Sequence, residues 1–117
     1  MARQKVVLQP PITITGTTTQ SGIDALKVGN NRTGVVFADV YAYGGTPYTI
    51  IIETISEEAN ASGQFSWIQV GTITIGSAAS ARTTPAITDL GELIRWRVSS
   101  APGTNTLKLI VFFSDQN

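Results

Sequence analysis

No part of the chain sustains a helical repeat. Runs of Val, Ile, Thr and aromatic residues are cut at short intervals by Gly, Pro, Asn and Ser clusters. A helix needs an uninterrupted apolar stripe over about ten residues or more, whereas strands of four to eight tolerate such punctuation. The pattern therefore predicts short strands over 12–15, 23–28, 35–43, 48–56, 65–75, 85–88, 93–100 and 106–114, with Gly71 as a bulge or bend. About eight short antiparallel strands joined by turns make an all-β fold, a single jelly-roll-like β-sandwich. The 117 residues suffice for one domain with one core. Residues 57–64, EEANASGQ, read as an exposed polar loop with room for one helical turn. Residues 76–84, GSAASARTT, read as a small polar loop with freedom to move.

Two hairpins carry most of the expected pairing. In the first, 35–43 turns at Gly44-Gly45-Thr46-Pro47 and returns as 48–56, with Tyr43 facing Tyr48, Val40 facing Ile51 and Val36 facing Ile55. Both faces of that ribbon are apolar, which calls for a central, covered position. In the second, Ala101-Pro102-Gly103-Thr104 supplies the turn chemistry. Setting Ser100 opposite Asn105 pairs Val98 with Leu107, Trp96 with Leu109 and Ile94 with Val111, a wholly apolar core face. The other face then pairs Arg97 with Lys108, Arg95 with Ile110 and Leu93 with Phe112. Two cations directly opposite each other are unfavourable, and a partner carboxylate would reverse the sign. Such a face is covered either by another part of the same chain or by a partner.

The first residues, MARQKVVLQPP, read as an N-terminal arm over 1–11, with the sandwich domain over 12–117. Pro10-Pro11 is incompatible with a central strand. The stretch lacks the apolar core of a signal peptide, which predicts a protein made and kept in a cytosol-like compartment. Asn31-Arg32-Thr33 and Asn60-Ala61-Ser62 match glycosylation sequons but carry little weight without a secretory signal. No apolar run is long enough to span a membrane.

Composition bears on chemistry. The chain has no His and no Cys. That removes Ser-His and Cys-His nucleophilic pairs and the usual zinc ligands. No cofactor or metal is expected, and no enzymatic activity. Eight basic and eight acidic residues cancel, so no global attraction to nucleic acid or an anionic membrane is expected. A glycosidase would need two facing carboxylates; Asp39 and Glu53 lie on adjacent expected strands but on opposite faces in this register. Carbohydrate binding would use exposed aromatics, with Trp67, Tyr41, Tyr43 and Tyr48 as candidates, although aromatics on long strands more often fill the core. Charged residues make up only 14% of the chain, well below the usual quarter or so. Abundant Thr and Ser account for part of that deficit, and a covering partner is the other way to meet it.

The stretch FSWIQVGTITIG, followed by a small-residue loop and LGELIRWRVSSAPGTNTLKLIVFF, resembles small all-β structural proteins of tailed bacteriophages. The resemblance covers roughly the C-terminal half and is one of style more than of a strict motif. The nearest roles among such proteins are those of capsid decoration, or cement, proteins. The resemblance implies a sandwich on the outer surface of the head, bound to the major capsid protein, assembled as a homotrimer and reaching a neighbour through an N-terminal arm. No catalytic residues carry over. The expected contacts are Arg3, Lys5, Val6, Val7 and Leu8 in the arm, and Arg95, Arg97, Lys108, Ile110 and Phe112 on the last hairpin. Deleting 1–11 is expected to leave the fold intact. A head-completion or tail component and a carbohydrate-binding β-sandwich are the alternatives.

Overall fold

The computed structural model describes residues 3–22, 24–29 and 33–114. Ile23 in the second expected strand, and Asn31 and Arg32 in the first sequon, lie outside them, as do Met1, Ala2 and the side chain of Arg3.

The chain forms two antiparallel sheets that pack face to face. Its strands are β1 (Arg3–Ile14), β2 (Thr18–Thr19), β3 (Leu26–Lys27), β4 (Gly34–Ala42), β5 (Tyr48–Ile55), β6 (Ile68–Ile75), β7 (Ser80–Arg82), β8 (Leu93–Val98) and β9 (Asn105–Ser114). A four-stranded sheet has the order β1-β9-β4-β7. A five-stranded sheet has the order β2-β8-β5-β6, with β3 also paired to β8. Side chains alternate in and out along each strand. The inward set includes Val36, Ala38 and Val40 on β4 and Leu107, Leu109 and Val111 on β9, facing Ile50 and Ile52 on β5 and Ile94, Trp96 and Val98 on β8.

Neither expected hairpin exists. β4 and β5 lie in different sheets, and so do β8 and β9. Each pair is joined by an arch that crosses the core. The inward faces expected from the sequence are correct for the last pair, but those residues meet across the sandwich, not side by side. The alternation of apolar residues cannot separate the two cases, because both bury the same side chains. The arches differ from hairpin turns in what they touch. At one end of the sandwich the backbones of Gly44 and Gly103 meet. A Cβ on Gly44 would lie 2.6 Å from the Pro102 carbonyl oxygen, and one on Gly103, where φ is +82°, 2.7 Å from that of Gly44. Asn105, fully buried, ties the arches together: its Oδ1 accepts from the Gly44 N–H at 2.8 Å, and its Nδ2 donates to the Ala101 and Pro102 carbonyls, both at 3.3 Å.

The N-terminal segment is a strand and not a free arm. β1 pairs with β9 from Arg3↔Ser114 to Ile14↔Asn105. Its register shifts between Val7 and Gln9 and between Gln9 and Ile12. The second shift accommodates Pro10-Pro11, which an edge strand tolerates. Val6 packs against the core and Leu8 is buried in it. Deleting 1–11 would thus strip an edge from the sheet and uncover core, so the expectation of an intact fold is withdrawn.

Two expectations about loops divide. Residues 57–62 form α1 (Glu57–Ser62), capped by the Ser56 hydroxyl, which accepts from the Ala59 N–H, and closed by Gly63 at φ 69°. The 76–84 segment instead contains β7, which pairs with β4 from Phe37↔Arg82 to Asp39↔Ser80. Where a strand was expected over 85–88 there is a single bridge, Gly34↔Ile87. Gly71 sits at the expected irregularity: β6 shifts register between Gly71 and Gln69.

Candidate interaction surfaces

The arch between β8 and β9 separates the expected contact residues onto opposite sides of the molecule, two sheets about 10 Å apart. Lys108, Ile110 and Phe112 lie on the outer face of the four-stranded sheet. Arg95 and Arg97 lie on the outer face of the five-stranded sheet. The predicted opposition of Arg97 to Lys108 does not occur, and neither do the Arg95–Ile110 and Leu93–Phe112 pairs.

On the four-stranded sheet, pairing with β1 and β4 assembles an apolar strip across three strands. Phe112 lies between Lys5 and Val35, Ile110 between Val7 and Phe37, and Lys108 beside Asp39. The rings of Phe37 and Phe112 meet edge to face, 5.4 Å between centroids at 85°, a favoured aromatic geometry. Ile110 is buried although it points outward, being flanked by Val7 and Phe37. Val7 is 41% exposed and Phe37, Val35 and Phe112 are half-buried. Tyr41, at the bulge where β4 shifts register, is 59% exposed. Lys5 and Lys108 border the strip, and the Asp39 carboxylate accepts from the Ser80 hydroxyl at 2.7 Å.

Of the expected contact residues, Lys5, Val7, Lys108, Ile110 and Phe112 are therefore brought together on one face. Val6 and Leu8 are not among them, because strand alternation turns them inward. Arg3 pairs with Ser114 at the end of the same edge. Sequence reasoning missed Val35 and Phe37; placing β4 beside β5 put them in the wrong sheet.

On the five-stranded sheet the arginines have a counter-charge from their own chain. Glu53 on β5 is directly opposite Arg95, and Arg97 is opposite Ile51. The Glu53 Oε1 accepts from Arg95 Nε at 3.0 Å, and its Oε2 from Arg97 Nε at 2.9 Å. Glu53 is buried at 5% exposure, while the Arg95 and Arg97 side chains keep 19% and 33% of theirs. Trp67 lies against Arg95, its ring centroid 4.3 Å from the guanidinium carbon, a cation–π contact. Leu93 is buried, between Ile55 and Lys27 on neighbouring strands. The cations that come together are Arg95 and Arg97, not Arg97 and Lys108, and their carboxylate is Glu53 of the same chain. It was noticed in the sequence only as one half of a possible acid pair. Its supposed mate, Asp39, is on the other sheet, so the two carboxylates share no site.

The remaining aromatics divide. Trp96 is buried, as its core-facing position predicted, and its indole N–H donates to the Gln9 side-chain oxygen at 3.1 Å. Tyr48 is buried with a hydroxyl that has no hydrogen-bond partner among the described residues, and burial, with Tyr43 nearby, pushes its phenol above the ordinary 10.0. Between the edges β1 and β2 runs a groove of about 490 Å³ lined by Gln9, Pro10, Thr18, Thr19, Gln20 and Asp24 among others. Its best-placed amide, Gln20 Nε2, is already engaged by the Leu8 and Asp24 carbonyls. Among the described residues no group of three or more acidic side chains is placed to hold a metal ion, and no helix is long and apolar enough to cross a membrane.

Comparison of the chain with protein-family models, with curated proteins and with solved structures gives no match.

Proposed function

We propose that the protein is a non-enzymatic structural component that docks on another protein through the outer face of its four-stranded sheet, and that it serves as a capsid decoration protein on the outer surface of a phage head. The observation that carries the docking reading is the strip of Val7, Val35, Phe37, Ile110 and Phe112, bordered by Lys5 and Lys108, on the side of the sheet that does not face the core. Apolar groups gathered on an outer face and rimmed by charge are the anatomy of a protein contact.

The strand order supports the jelly-roll reading. Counting β2 and β3 as one interrupted strand leaves eight, in two sheets of four ordered β1-β9-β4-β7 and β2/β3-β8-β5-β6, an architecture that serves in viral shells and in lectins. The phage assignment itself rests on the resemblance of residues 65–113. The N-terminal segment contributes to the contact as an edge strand, through Lys5 and Val7. Docking of one such face on the major capsid protein, repeated by shell symmetry, would strengthen the shell by many modest contacts. Trimeric assembly on the shell belongs to the same proposal.

The test is the copy number of the chain in purified phage particles relative to the major shell protein. A ratio on the scale of a lattice component supports decoration. A few copies per particle point to a head-completion or tail role, and absence from particles overturns the virion reading. Exposed Tyr41 keeps the carbohydrate-binding alternative open to one direct test: a Tyr41→Ala-sensitive signal on a glycan panel would favour it.

A further inference from the structure

The second outer face carries an arrangement that internal ion pairing does not account for. Two guanidinium groups share one carboxylate, leaving the cluster of Arg95, Arg97 and Glu53 with one net positive charge. Each arginine reaches Glu53 through Nε alone. The four Nη amino groups make no hydrogen bond with any described residue. Both guanidinium groups are held in place, by the buried carboxylate on one side and, for Arg95, by the Trp67 ring on the other. A planar guanidinium with donors to spare matches the two oxygens of a carboxylate, and fixing it beforehand lowers the entropy lost on binding.

We propose that Arg95, Arg97 and Trp67 form a second recognition site, which takes the carboxylate side chains of an acidic segment of a partner protein. The surroundings favour a protein segment. The Trp67 ring lies on Arg95, and Ile51 stands opposite Arg97 on the same outer face. Arginine and large apolar groups around a partly desolvated charge are what protein hot spots are made of. Glu53 sets the selectivity: it presents the two forks in fixed positions and keeps the net charge at one, too little for a polyanion held by charge alone. This site is independent of the apolar strip on the opposite face. If both operate, the protein has two docking faces, back to back.

The test is an NMR titration of the full chain, following the Arg95 and Arg97 Nε–H and Trp67 indole signals. The probe is a hexaglutamate peptide, with hexaglutamine and inorganic phosphate as separate arms. The expected result is a saturable shift of all three signals with hexaglutamate and none with hexaglutamine. Arg97→Gln should weaken the response at least tenfold. Arg97→Lys, which keeps the charge but loses the fork, should weaken it at least threefold, while the Trp96 indole signal in the core stays in place in both. Phe112→Ala on the opposite face should leave the titration unchanged, so that failure here and failure of the docking strip are read separately. No saturable shift, an unaltered response in both Arg97 variants, or saturation by phosphate at lower concentration than by the peptide would each overturn the proposal.

Discussion

The outer faces of the two sheets solve the same problem in opposite ways. Each has three adjacent strands whose outward side chains are not all suited to water. On the five-stranded sheet the chain settles part of the matter internally: Glu53 sits between Arg95 and Arg97, and Trp67 lies along Arg95. On the four-stranded sheet Phe37 and Phe112 lean on each other and shelter Ile110, but Val7 stays 41% exposed. One face has a charge cluster satisfied in its middle and open at its edge. The other has apolar surface that only a further layer can remove from water. Composition alone does not distinguish a covered face from an exposed one; what matters is which strand supplies the neighbour.

The comparison depends first on the arches that set the faces back to back. Gly44→Ala should give the largest effect. Its Cβ would meet the Pro102 carbonyl at 2.6 Å, a backbone atom with little room to retreat, so a loss of about 3 kcal/mol is expected in denaturant unfolding. A hairpin turn in the same place would tolerate Ala, and an unchanged midpoint would contradict the arches. Next, Glu53→Gln leaves two guanidinium groups beside each other without a counter-charge. Removing one member of a fully buried pair costs about 3–5 kcal/mol; because these arginines are partly in water, about 2 kcal/mol is expected here. Adding Arg97→Gln should restore part of the loss, which a double-mutant cycle measures. Full additivity would mean that Glu53 does not couple the two strands.

Phe112→Ala probes the other face. Loss of the edge contact with Phe37 and of partly buried area should cost about 1–2 kcal/mol in stability, with a larger loss in partner binding. Lys108→Glu places an acid directly opposite Asp39 across β4 and β9. It should cost only about 0.5 kcal/mol. Tyr48→Phe should change stability least, by under about 0.5 kcal/mol near neutral pH, because the hydroxyl it removes has no partner among the described residues. The sign of its pH dependence is fixed. The buried phenol resists ionisation more than the unfolded one, so the folded state holds the extra proton and stability falls as pH rises above 10.0. Alkaline unfolding of Tyr48→Phe should lack that component.

What the sequence made legible was the direction of side chains more than the identity of neighbours. Ile94, Trp96, Val98, Leu107, Leu109 and Val111 were read as core from their alternation, and they are. The same alternation is compatible with a hairpin or with an arch, since local pattern reports which side is buried and not which strand lies alongside. The deciding signals were Gly44, Gly103 and Asn105, which resemble ordinary turn residues until the two arches are seen to touch. The arm was misread for a related reason. Pro10-Pro11 correctly excluded a central strand, and an edge strand with a register shift satisfies the same restriction. Five of the ten expected contact residues share one outer face because Lys5 and Val7 fall beside Phe112 and Ile110 in the pairing of β1 with β9. Glu53 became intelligible only when β5, and not β9, proved to be the neighbour of β8.

The most direct test of the proposed docking of the four-stranded sheet's outer face on a phage shell is co-sedimentation with purified shells that lack this chain. The wild-type chain and Phe112→Ala, each shown folded by an unchanged Trp96 indole signal, would be titrated to saturation. The account predicts saturable binding of the wild type at a lattice-scale ratio and at least a tenfold weaker association of the variant. Equal binding of the two would contradict it.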